Sequence, residues 1–138
     1  MGIVYTAEVE SSGDGRKGRV RSSDGLLDAA LTSPKEVGGA GDATNPEQLF
    51  AAGWAACFHS ALRLSARESK VALHDELVTA RVSLNKGESG FFLSAEIVVD
   101  IPGVRHEEAE RLAAQAHGRC PYSKAVGGNV DVAVTVRV

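Results

Sequence analysis

The chain has 138 residues, 43% of them hydrophobic, with a formal net charge of -3. That suits one globular domain, residues 1–138, with a sizeable core. The mild acidity and the absence of any long Lys/Arg run exclude an electrostatic footprint for nucleic acid or an anionic membrane surface, and no apolar run is long enough to span a bilayer.

Met1-Gly2-Ile3-Val4-Tyr5-Thr6 shows no basic-then-apolar leader pattern, so the protein is expected in the cytoplasm. In a reducing compartment its two cysteines are expected to be catalytic, sensing or free thiols rather than a permanent staple. Ile3 to Glu10 reads as a first strand. Ser11 to Gly18 is a glycine-rich turn carrying Arg16 and Lys17. Arg19 to Leu31 holds two short strand candidates around Ser23-Asp24-Gly25, and Thr32 to Ala43 is a glycine-rich loop.

A helix is expected from Pro46 to about Ser69. Thr44 or Asn45 can cap it, Pro46 suits its first position, and Glu47 or Gln48 completes a capping box in one register or the other. No charge follows until Arg63, so this helix is expected to be apolar all round and gripped between layers. Glu76 to Asn85 and Phe91 to Ile101 then alternate as an antiparallel hairpin with one buried face. Glu107 to His117 is a second helix with the stripe Ala109, Leu112, Ala113 and Ala116, stopped at Gly118. Arg119 to Lys124 is read as a loop and Asn129 to Val138 as a closing strand. The expected class is α+β, with antiparallel sheets around a long buried central helix and a second helix.

Cys57 sits in the central helix. A free buried cysteine is commonly an inert core residue. Cys120 follows a helix end and precedes Pro121, which disfavours helical geometry at the thiol. Spacing alone leaves open whether the two meet. A nucleophilic thiol needs a nearby cation to lower its pKa from about 8.5. Arg16, Lys17, Arg19, Arg119 and Lys124 are the candidates, and Glu47 can hold an arginine in a two-pronged grip.

Ala43-Thr44-Asn45-Pro46-Glu47-Gln48-Leu49-Phe50-Ala51-Ala52-Gly53 with Ala56-Cys57-Phe58 resembles the first signature of the organic hydroperoxide resistance proteins, a branch of the osmotically inducible protein C superfamily. Cys120-Pro121-Tyr122-Ser123-Lys124-Ala125 resembles the second, continued by Gly128-Asn129-Val130-Asp131-Val132. Gly15-Arg16-Lys17-Gly18-Arg19, Ser22-Ser23-Asp24-Gly25 and Gly38-Gly39-Ala40-Gly41 also resemble that family, so the likeness spans essentially the whole chain. Trp54 departs from it, standing where the family more often has Tyr.

The resemblance implies an intertwined homodimer and thiol-dependent reduction of organic hydroperoxides, without metal, haem, flavin or other cofactor. By position it makes Cys57 the peroxidatic cysteine and Cys120 the resolving one. Arg16 becomes the arginine that stabilises the thiolate and polarises the peroxide, and Glu47 the carboxylate that holds it. The implied reductant is a protein-bound dihydrolipoyl group. Leu49, Phe50, Trp54 and Phe58 are expected to line a pocket for an alkyl or lipid-like hydroperoxide, though aromatic residues here are first of all core.

On one ideal helix Glu47 and Cys57 lie roughly 15 Å apart along the axis and about 80° apart in azimuth. Either Arg16 spans that gap or a second subunit supplies Arg16 and Glu47. Arg19, three residues on, rivals Arg16 as the partner of Glu47. His59 is expected to be structural, and His117 with the cysteines matches no zinc spacing. A thiol-based sensor is the other function class, but no DNA-binding or partner-binding element accompanies the cysteines. A sibling branch of the superfamily with a different peroxide preference is the nearer rival.

Overall fold

Thr44-Asn45-Pro46 starts the long helix as its capping chemistry requires. In the computed structural model, which describes residues 1–138, α1 runs Pro46–Glu68. The Asn45 side-chain oxygen accepts the Gln48 backbone N–H at 2.9 Å, which settles the register of the cap. Gln48 turns its own side chain to the Thr44 hydroxyl, at 2.7 Å.

The chain divides into two units, residues 1–49 and 50–138. The first holds a three-stranded antiparallel sheet of β1 (Val9–Ser12), β2 (Arg19–Ser22) and β3 (Asp28–Ala30), in that order. None of these strands contains a buried residue. The expected strand over Ile3 to Glu10 is displaced: residues 3–8 have no regular structure, and Ile3, Val4 and Tyr5 are exposed. A β-rich run makes a strand only where a neighbouring edge offers backbone partners; within its own unit the Glu8 carbonyl accepts the Ser23 N–H at 2.9 Å, and the ladder itself starts at Val9, which pairs with Ser22. Between β1 and β2 a single 3-10 turn, Gly15–Lys17, carries Arg16. It closes through Gly18, where a Cβ would lie 1.9 Å from the Ser12 carbonyl oxygen.

The second unit has a sheet ordered β4 (Leu77–Gly87), β5 (Gly90–Asp100), β6 (Asp131–Arg137). β4 and β5 form the expected hairpin, turned at Gly90 with φ +112°. β5 and β6 pair in parallel, so antiparallel pairing does not hold throughout. The reason is the crossover: α2 (His106–Arg119) and α3 (Pro121–Val126) lie between these strands in sequence and return the chain to the starting end of the sheet. α2 buries Ala109, Leu112, Ala113 and Ala116 as its periodicity dictates. It runs through Gly118, and Pro121 ends it instead. Proline forces Cys120 into extended geometry (φ -63°, ψ 120°) and itself becomes the first residue of α3, where a loop was expected.

The core of this unit joins Trp54, Phe58, Leu62 and Ala66 of α1 to Ile97, Val99 and Ile101 and to the α2 stripe. α1 is therefore buried along one face, not all round. Ala52, Ala56, Ser60 and Leu64 stay exposed on the other. No helix is long and apolar enough to cross a membrane.

Candidate active site

Cys57 and Cys120 meet. Cys57 lies half-buried on α1 and Cys120 is fully buried where α2 gives way to α3; both are free thiols. Burial pushes the Cys57 pKa up, and the interaction with the Cys120 side chain pushes it further. The Tyr122 backbone N–H acts in the opposite direction and does not overcome them. None of the arginines of residues 50–138 counters that rise.

Three contacts seat the segment around Cys120 on α1. Gly53, one helical turn before Cys57, has no side chain, and the Tyr122 ring fills the space: a Cβ there would lie 3.0 Å from its Cε2. Trp54 Nε1 donates to Ser123 Oγ at 3.0 Å in a buried hydrogen bond. Beyond Cys57, Arg119 pairs with Glu68 at 2.5 Å and reaches the Ser65 hydroxyl at 3.5 Å.

Arg16, rather than Arg19, reaches Glu47. Its guanidinium donates twice, Nη1 to Oε1 at 2.7 Å and Nη2 to Oε2 at 3.0 Å. The hydrogen bonding with Glu47 raises the Arg16 pKa, and the grip leaves nearly half of the arginine side chain exposed. Arg19 instead pairs with Asp28 at 2.7 Å across the β2–β3 ladder. Extended geometry at residue 19 sends its side chain to the neighbouring strand, whereas the 3-10 turn presents residue 16 at a loop tip.

Of the four apolar residues expected along a substrate pocket, Leu49 and Phe50 are half-buried. Trp54 and Phe58 are a correction: both are fully buried and present no surface to a substrate. They are four residues apart on the face of α1 that packs on the sheet, so they shape the site from behind. Phe50 stands edge-on to Trp54 at 5.9 Å.

The surface pocket beside Cys57, about 460 Å³, is lined by Ser60, Ala61, Leu64, Arg67, Arg119 and Pro121. Sequence reading missed most of these residues. The signal was available, because positions 60, 61, 64 and 67 continue the helical stripe that passes through 57. His59 Nε2 donates to the buried Glu76 carboxylate at 2.7 Å, and Arg63 pairs with the same carboxylate. That makes His59 part of an ion-paired anchor between α1 and the start of β4. His117 faces Phe58, ring centroids 6.3 Å apart, and its Nδ1 has no hydrogen-bond partner.

Residues 39–135 match the family model described as OsmC-like protein. The chain is 49% identical to the organic hydroperoxide resistance protein OhrA of Bacillus subtilis, over 96% of each chain. It is 45% identical to the organic hydroperoxide resistance protein of Xanthomonas axonopodis pv. citri, over 97% of this chain and 95% of the relative. Among solved structures, an organic hydroperoxide resistance protein OsmC from Legionella pneumophila superposes with a TM-score of 0.94 at 49% identity. The match covers 99% of this chain and all of that one.

Proposed function

The chain belongs to the OsmC-like family, among the organic hydroperoxide resistance proteins, and on that premise we propose that it is a single-domain, thiol-dependent peroxidase acting through Cys57 and Cys120. The family places it in organic hydroperoxide resistance, a peroxide-detoxifying role. The observation that carries the finer reading is the contact between two free thiols, one half-exposed beside a surface pocket and the other fully buried behind it.

That asymmetry divides the chemistry. The Cys57 thiolate attacks the distal peroxide oxygen, the O–O bond breaks, and the alcohol leaves after taking up a proton. Cys57 becomes a sulfenic acid. The Cys120 sulfur then attacks the Cys57 sulfur, a disulfide forms and water departs. A dithiol restores both thiols by exchange and is itself oxidised to a disulfide. A dihydrolipoyl protein fits that role. The pocket's Ala61, Leu64 and Pro121 suit an alkyl or lipid-like hydroperoxide better than hydrogen peroxide. No step in this scheme calls on a metal or an organic cofactor.

The raised pKa of Cys57 calls for a cation. Arg16, held by Glu47, is that cation in this reading, and a second subunit delivers it. The exposed apolar residues 3–5, the sheet without a buried residue and the open face of α1 all support a homodimer that covers them.

The test is hydroperoxide consumption driven by a lipoyl dithiol, for wild type, Cys57→Ser and Cys120→Ser, on a bulky organic hydroperoxide and on hydrogen peroxide. The expected result is turnover in wild type alone, with the organic substrate preferred. Absence of wild-type turnover with both thiols accessible would overturn the enzyme reading in favour of a thiol sensor.

A further inference from the structure

Cys120 resolves Cys57 only if it stays in reach through the change from thiol to sulfenic acid. In the reading proposed above, two reactions compete for that sulfenic acid. Condensation with the Cys120 thiol forms the Cys57–Cys120 disulfide and releases water. Attack on a second hydroperoxide transfers one more oxygen, leaves Cys57 as sulfinic acid, releases the alcohol and stops turnover. The outcome depends on how well the segment carrying Cys120 is held.

The three contacts that hold it are unequal. Arg119 and Glu68 are 39% and 53% exposed, so their ion pair is well solvated and contributes little. Tyr122 is 44% exposed, so its packing on Gly53 covers only part of the side chain. The Trp54–Ser123 hydrogen bond is different, because Trp54 is fully buried and Ser123 is 4% exposed. Breaking it strands the indole N–H in the core without a partner. It also lies beside both thiols in sequence: Trp54 is on α1 just before Cys57, and Ser123 is on the first turn of α3 just after Cys120.

We infer that the Trp54 Nε1–Ser123 Oγ hydrogen bond is a positioning contact that keeps Cys120 against Cys57, so that disulfide formation outruns over-oxidation. Neither residue touches the reacting atoms. This rests on the two-cysteine reading, and the experiment has one arm that does not.

Ser123→Ala removes the acceptor with little change of volume. In the first arm, wild type and variant receive increasing organic hydroperoxide, and mass spectrometry divides Cys57 between disulfide and sulfinic acid. Loss of one buried hydrogen bond, worth about a factor of five in an equilibrium, is expected to move the crossover to sulfinic acid to about fivefold lower hydroperoxide. The rate at which the first equivalent oxidises Cys57 stays unchanged, a separation that general loss of structure does not produce. In the second arm, reduced protein is equilibrated in glutathione redox buffers without peroxide. The variant is expected to require a more oxidising buffer to form the Cys57–Cys120 disulfide. Trp54→Phe, which removes the donor and keeps an aromatic ring, repeats both arms should Ser123→Ala fold poorly.

If wild type does not consume hydroperoxide, the peroxidase reading fails and the second arm alone decides the positioning role. A folded Ser123→Ala protein with wild-type behaviour in the glutathione arm, and the wild-type crossover wherever turnover occurs, overturns the inference. So does an equal fall in first oxidation and resolution.

Discussion

A cysteine that attacks peroxides must be ionised near neutral pH, and Cys57 by itself is set up the wrong way. Burial and Cys120 both raise its pKa, while one backbone N–H lowers it. In the proposed mechanism Arg16 reverses this, since a guanidinium stays charged at any working pH and Glu47 fixes it with two hydrogen bonds. Glu47→Ala should free Arg16, whose side chain is already 47% exposed, and because the Glu47 side chain is only 16% exposed a thermal melt accompanies the kinetics. Steady-state kinetics are expected to show kcat/KM down by about tenfold to a hundredfold, the value of ~1.5–3 kcal/mol typical of a hydrogen bond to a charged group. Glu76 shows the same physics in a structural role. Burial raises its pKa, but His59 and Arg63 outweigh that and hold it below the usual carboxylate range. A folded-state pKa below the unfolded one contributes stability that is complete above the unfolded value and is lost as pH falls through the folded one. Glu76→Gln is therefore expected to lower the melting temperature at pH 7 and to leave it nearly unchanged at a pH below the folded-state pKa, measured by thermal melts across the acid range.

The elements differ in how far they follow from local chemistry. α1 begins where Asn45, Pro46 and Gln48 dictate, and the Asn45 cap is an interaction of residues three apart. Asn45→Ala should cost about 1 kcal/mol in urea unfolding, with the denaturant slope unchanged. α2 and β4–β5 were equally legible, since a period of 3.6 or 2 marks the face that must be buried. The end of α2 was not. Gly118 looks like a stop, yet the helix continues to Arg119 because Cys120 and Pro121 impose a sharper one and at once start α3. Proline's effect on the residue before it is readable in sequence; its second role, opening a new helix, depends on α3 finding Gly53 and Trp54 to pack on.

At the scale of the whole molecule, one face of α1, the sheet of residues 9–30 and the first residues of the chain remain uncovered. In the proposed homodimer a second copy of the chain buries them and supplies the Arg16 and Glu47 that act on Cys57, since Glu47 and Cys57 of one helix are separated by ~15 Å of rise. The expected outcome is complementation. A Cys57→Ser chain and a Glu47→Ala chain, each inactive or weak alone, should regain part of the activity when refolded together into mixed dimers. Activity no greater than the sum of the separate proteins would place Arg16, Glu47 and Cys57 in one chain.

The residues by themselves determined the class of fold, where α1 starts, the buried face of α2, the β4–β5 hairpin and the identity of the two thiols. These rest on interactions between near neighbours or on a repeating period, and both are written along the chain. The tertiary structure decided that β6 runs parallel to β5 and that Trp54 and Phe58 form core rather than pocket, and it brought together what resemblance only implied: Cys57 with Cys120, and Arg16 rather than Arg19 with Glu47. Each of those outcomes depends on which distant segment arrives opposite a side chain. That choice is made by packing of the whole chain, and no local preference encodes it.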